Sequence, residues 1–162
     1  MSEITVSIIC EGLEIRIPIS EFKDCEFINE LKEMKENNEI KLKYLDGLSI
    51  SEFCEIRKIL RNEFNNYTHL EIDFGIKIIQ ILSYLAWKDT NKFIEQWMRN
   101  VNKYNGLKKL IKLYKYLKES KAYNLKDLSE DHKTIIIDYM KHRLCTLNFE
   151  DLYQFFLKIY ED

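Results

Sequence analysis

The sequence predicts an α+β domain with a small mixed sheet of about three strands, followed by an all-helical C-terminal extension. Three observations carry this. Strand signals gather before Leu45. Helical apolar spacing fills most of the chain beyond it. Gly (4) and Pro (1) are scarce in 162 residues, which disfavours collagen-like, low-complexity and loop-rich chains.

Residues 4–10 read I-T-V-S-I-I-C, β-branched and apolar, and predict the first strand. Glu11-Gly12 is a two-residue break containing Gly, which signals a hairpin. Residues 13–19 then alternate, with Leu13, Ile15, Ile17 and Ile19 on one face and Glu14 and Arg16 on the other. Pro18 sits near the end of that strand, where a missing N–H does least harm. Ser20 is a candidate N-cap for a helix through Met34, whose apolar stripe is Phe27, Ile28, Leu31 and Met34, with Phe22 and Cys25 near its start. Glu36-Asn37-Asn38 breaks it. Ile40, Leu42 and Tyr44 alternate with Lys41 and Lys43 as a third strand, and Asp46-Gly47 is a turn.

Ser49 and Glu52 form an S-x-x-E capping box, so a helix begins there, carrying Phe53, Ile56, Ile59, Leu60 and Phe64 inward. Residues 65–68 read as a loop and residues 70–72 as a short extended piece. Residues 74–87 are apolar nearly all round, as expected of a central, buried helix. Lys88-Asp89-Thr90 is a short break. The next helix turns Phe93, Ile94, Trp97, Met98 and Val101 inward, and the short break predicts an antiparallel helical hairpin. Three further helices are expected, at about 107–118, 129–143 and 149–160.

Charge and motifs exclude several classes. The net charge is −2, so no overall basic field draws the chain to nucleic acid. It has no apolar run of membrane-spanning length and no secretory-type N-terminus, so we expect no membrane partner and an intracellular location, cytoplasmic or nuclear. Cys10, Cys25, Cys54 and Cys145 contain no C-x-x-C, and the expectation is four free thiols, mostly buried. His142 and Cys145 could share a helix face, but zinc needs about four ligands, so no metal is expected. No phosphate-cradling glycine loop, nucleophile elbow or metalloprotease motif occurs. Glu130-Asp131 and Glu150-Asp151 open predicted helices, where they complement the helix dipole. No catalytic residue and no cofactor is expected.

The segments C-E-G-L-E-I-R-I-P-I (10–19), S-E-F-K-D-C-E-F-I-N-E-L (20–31), I-K-L-K-Y-L (40–45), S-E-F-C-E-I-R-K-I-L (51–60) and I-I-Q-I-L-S-Y-L-A-W-K-D (78–89) succeed one another in a recognisable order. In that order and spacing, residues 4–104 resemble the BTB/POZ superfamily, and within it the compact Skp-type, elongin C-like branch. The resemblance implies a BTB/Skp-like domain over 1–105 with a helical extension, 106–162, packed on it. It also implies a protein–protein interaction adaptor of the cullin ubiquitin-ligase kind. Loops and hairpin edges meet the cullin in that family, so Tyr44 and Tyr67 resemble candidate contact residues.

Two other constellations stand out. Trp87 and Trp97 lie ten residues apart on the expected hairpin helices; they are candidate partner-binding residues, with burial in the core favoured. Lysines 103, 108, 109, 112, 115, 118 and 121 crowd nineteen residues with one acid, Glu119, and residues 101–162 carry net +3 against −5 before them. Lys108, Lys109, Lys112 and Lys115 are therefore candidate anion-binding residues. A solvated face over the inward stripe Leu107, Leu110, Ile111, Tyr114 and Leu117 is favoured, and nucleic acid is the least favoured partner. The expected function is a non-enzymatic adaptor, with a self-associating scaffold and possible homo-oligomer as the alternative. Abundant Ile (22), Lys (20) and Asn (12) suit an AT-rich genome, including those of large DNA viruses, so a virion component also fits.

Overall fold

The structure is a computed structural model that describes residues 3–34, 38–63, 70–103, 106–123 and 129–161; the side chains of residues 34, 101–103, 106 and 116–123 lie outside that description. It is an α+β fold. Strands β1 (Thr5–Cys10), β2 (Leu13–Pro18) and β3 (Glu39–Lys41) form a mixed sheet in the order β2-β1-β3. Helices α1 (Glu26–Met34), α2 (Ile50–Leu60), α3 (Ile72–Tyr84), α4 (Thr90–Lys103), α5 (Gly106–Tyr123), α6 (Glu130–Thr146) and α7 (Phe149–Ile159) supply the rest. By internal contact the chain divides into two compact units, 1–65 with 84–88, and 66–83 with 89–162. The boundary expected at 105/106 adjoins residues 104–105, which are outside those described.

The first unit is built on the β1–β2 hairpin. Its two-residue turn places Glu11 at φ 51° and Gly12 at φ 78°, the doubly left-handed turn whose twist matches that of the strands. β1 pairs antiparallel with β2 and parallel with β3. Val6, Ile8 and Cys10 are buried, as alternation requires. The apolar face of β2 is buried only at its far end: Ile17 is enclosed, Ile15 is half-buried and Leu13 is exposed.

Three elements differ from the sequence expectation. The third strand ends at Lys41 instead of reaching Tyr44. Ile9 N–H is taken by Asp46 Oδ1 at 2.9 Å and Ile9 C=O by Gly47 N–H at 3.3 Å, so side-chain and turn bonds replace the ladder there. Lys43–Leu45 then forms a 3-10 turn. The expected helix over 20–34 is split into a 3-10 turn, Ile19–Phe22, and α1. Between them Cys25 forms an antiparallel bridge with Trp87, and Asp24 C=O accepts Lys88 N–H at 3.0 Å. The same pairing explains why α3 stops at Tyr84. Leu85 and Ala86 carbonyls accept the Phe27 and Glu26 N–H groups at 3.3 and 3.2 Å, and Ala86 adopts φ 49°.

The capping box at α2 forms as expected: Ser49 Oγ accepts Glu52 N–H at 3.0 Å and Glu52 accepts Ser49 N–H at 3.1 Å. α2 is tied to the 3-10 turn at 19–22 by Glu21, which accepts Arg57 Nε at 3.0 Å, Arg57 Nη2 at 2.7 Å and Arg61 Nη2 at 2.7 Å.

In the second unit α3 begins at Ile72, where an extended piece was expected, and buries Ile72, Gly75, Ile76, Ile78, Ile79, Ile81 and Leu82. Contacts between α3 and α4 open outward from their connection, Leu82 with Thr90 and then Gly75 with Trp97, as an antiparallel hairpin requires. α4 also packs on α5 and α6, and α5 packs on α7. α6 starts at a Ser129 cap and α7 at an Asn148 cap.

Candidate interaction surfaces

Tyr44 stands on the 3-10 turn after β3. Its ring stacks on Tyr84 with centroids 4.2 Å apart and planes 15° apart, and Tyr84 meets Phe27 edge-on at 4.9 Å. All three rings are half-buried and form an aromatic stack. Tyr67 lies outside the described residues. Trp87 and Trp97 are 6% and 0% exposed, which gives both indoles a core place instead of a surface role in partner binding. Trp87 is also not helical; it belongs to the segment that bridges Cys25.

The lysine-rich helix behaves as an amphipathic element. Leu110 and Leu113 are buried, while Lys108 and Lys112 are exposed and Lys109 and Lys115 half-buried. Lys108, Lys112 and Lys115 recur at i, i+4 and i+7 on one face. Lys112 Nζ lies 3.1 Å from Asp73 Oδ2, so that cation is already engaged by a carboxylate.

Among the described residues, most of the exposed large apolar side chains of the second unit gather on α7, on none of the residues that the sequence marks as candidates. α7 buries Phe155 and Ile159 and exposes Phe149, Tyr153, Phe156, Leu157 and Tyr160, with Phe149 83% and Tyr160 78% accessible. The exposed five fall at i, i+4, i+7, i+8 and i+11, one continuous stripe. The inward stripe rests on α5, where Tyr114 meets Phe155 edge-on at 5.6 Å. The signal is present in the sequence as two apolar stripes on one short helix, of which only one can face a single neighbour.

In the first unit a shallow depression of about 550 Å³ is lined by Ile9, Glu11, Gly12, Asp46, Gly47, Leu48 and Ser49. Burial pushes the Cys10 thiol up, helped by Asp46 and Glu11. Burial, with Asp24 nearby, pushes Cys25 up to about 12. Both thiols are buried. Cys54 and Cys145 are exposed, so the thiols divide evenly where most were expected inside. Among the described residues no group of three or more His, Cys, Asp or Glu side chains converges as a metal site. Ser83 Oγ on α3 and His132 Nδ1 on α6 share a hydrogen bond. Burial lowers the His132 pKa against the opposing pull of Asp131.

No protein-family model, curated protein or solved structure matches this chain. Among the described residues no helix is long and apolar enough to cross a membrane.

Proposed function

We propose that the chain is a non-enzymatic protein–protein interaction adaptor whose principal binding face is the outer side of α7. The observation that carries this is the exposed stripe Phe149, Tyr153, Phe156, Leu157 and Tyr160. Contiguous exposed aromatic and aliphatic side chains mark docking surfaces, because leaving them in water forgoes roughly 25 cal/mol per Å² of apolar area. On the helical wheel Glu150 flanks one side of the stripe, and Glu161 follows just past the end of the helix. The complementary partner is a helix with an apolar face rimmed by Lys or Arg.

The order β-β-α-β-α followed by helices is the one on which the resemblance to the Skp-type BTB branch rests. It supports extending the adaptor role to a cullin-type partner, with the Tyr44–Tyr84–Phe27 stack as a second contact. Affinity purification at two salt concentrations tests both parts, using the tagged chain and a Phe156→Glu/Tyr160→Glu variant. A partner held by the first, lost by the second and rebuilt from purified components is the expected result. A direct partner that binds both equally overturns α7 as the face, and the absence of any cullin overturns the ubiquitin-ligase assignment.

A further inference from the structure

A different surface, independent of α7, points to self-pairing. Among the described residues β2 is an edge strand of the sheet. Its register with β1 runs Cys10–Leu13, Ile8–Ile15 and Val6–Ile17, closed by a two-residue turn. Such a turn makes the closing pair a hydrogen-bonded one, and hydrogen-bonded pairs then recur at every second residue. The Ile19 N–H to Ile4 C=O bond at 3.0 Å continues the same parity. Leu13, Ile15 and Ile17 therefore spend their backbone groups on β1. Glu14 and Arg16 direct theirs outward, along the open edge. The edge is bounded by the Gly12 turn on one side and by Pro18, which has no N–H, on the other.

We propose that this edge pairs antiparallel with the same edge of a second copy of the chain, about a two-fold axis at Ile15. The sequence L-E-I-R-I is self-complementary in that arrangement. Glu14 falls opposite Arg16 of the second copy, Arg16 opposite Glu14, Ile15 opposite Ile15, and Leu13 opposite Ile17. Glu14 and Arg16 exchange backbone N–H and C=O groups across the axis, which satisfies the open edge. Leu13, 60% exposed in the single chain, gains an apolar neighbour.

The charges also choose the register. Shifting the axis to position 14 or 16 sets Glu14 against Glu14 or Arg16 against Arg16. Charged residues on an edge commonly block pairing; here their opposite signs and symmetric placement disfavour the two neighbouring in-phase registers and favour the one centred on Ile15. In the single chain Arg16 Nη2 lies 3.2 Å from Glu14 and Arg16 Nε 3.7 Å from Glu39, so these side chains already share a face. The contact is small, and the dimer is concentration-dependent.

The test is a charge swap read by sedimentation. The full chain forms a reversible dimer. Glu14→Lys and Arg16→Glu, each alone, set like charges across the axis and raise the dissociation constant about tenfold or more. Mixing the two single variants restores association, because Lys at 14 now faces Glu at 16 and Arg16 faces Glu14. Residue-resolved hydrogen exchange on the unmodified chain reads the same contact without any variant: Glu14 and Arg16 amides gain protection with concentration. A chain that stays monomeric up to about 1 mM overturns the proposal. So does a dimer whose Glu14 and Arg16 amides exchange freely.

Discussion

Gly75 on α3 lies against the indole of Trp97 on α4, so close that a side-chain carbon at position 75 would occupy the space of the ring. Trp97 is fully buried and cannot swing aside. Replacing a helical Gly by Ala ordinarily gains up to about 1 kcal/mol. Overpacking a closed core costs about 1–3 kcal/mol or more, and here the overlap involves a large rigid ring. Gly75→Ala should therefore lower the urea unfolding free energy despite its better helix propensity. A rise in stability would mean the two helices do not approach this closely.

Glu21 makes the first unit acid-sensitive. Burial pulls its carboxyl upward, but hydrogen bonds from Arg57 and Arg61 and their charges outweigh that, so its pKa lies below the ordinary 4.5. A carboxylate lowered in the folded state contributes stability that is complete above 4.5 and lost as pH falls through the folded value. Glu21→Gln should cost about 1–2 kcal/mol at pH 7 and flatten the stability profile below pH 4.5. Chemical unfolding of both proteins across pH 3–6 checks this; parallel profiles would remove the Glu21 contribution.

His132 should act in a separate window. Its imidazole is lowered below 6.5 by burial, only partly offset by Asp131. Between the folded and unfolded values the unfolded chain binds more protons, so stability rises with pH there. It is complete above about 6.5 and declines as pH falls through the folded value. The urea midpoint of α3–α6 packing, followed at pH 8 and pH 5.5, should drop in the native chain and hold steadier in His132→Gln. Equal drops in both would assign the loss to other groups.

Two neighbouring phenylalanines of α7 differ sharply in burial: Phe155 is 1% exposed and Phe156 is 47% exposed. The two faces of this helix should therefore respond differently to truncation. Phe155→Ala should cost about 3–5 kcal/mol, as for other core phenylalanines. Phe149→Ser, at the most exposed position of the stripe, should change stability by no more than about 0.5 kcal/mol while reducing partner capture. Thermal unfolding of the two variants decides it, and a large loss from Phe149→Ser would show that this face is covered within the chain.

The elements were legible wherever local chemistry decided them. The Glu11-Gly12 hairpin, the Ser49–Glu52 capping box and the all-round apolar α3 arise from turn geometry, capping and periodicity. The features hidden from sequence were set by long-range backbone pairing. The Cys25–Trp87 bridge split one helix and shortened another, and the Asp46 carboxylate on Ile9 N–H ended a strand. These partners lie tens of residues apart and leave no periodic trace. The interaction surfaces were hidden for a related reason. The α7 stripe looks like core material until α5 is seen to cover only one side of the helix. The outward parity of Glu14 and Arg16 depends on knowing that β2 is the edge.

The chain passes between its two compact units at 65/66, 83/84 and 88/89. A protein that ends at residue 65 keeps the whole sheet but forfeits the carbonyls of Leu85 and Ala86, leaving the amides of Phe27 and Glu26 unpaired and Cys25 without its bridge. One that starts at residue 66 carries a stub, 84–88, with nothing to complete. Gene fragments cut at 65/66 should thus yield two poorly behaved pieces. Mixed together, the two should regain structure by complementation, since the five-residue splice carried by one is the missing piece of the other.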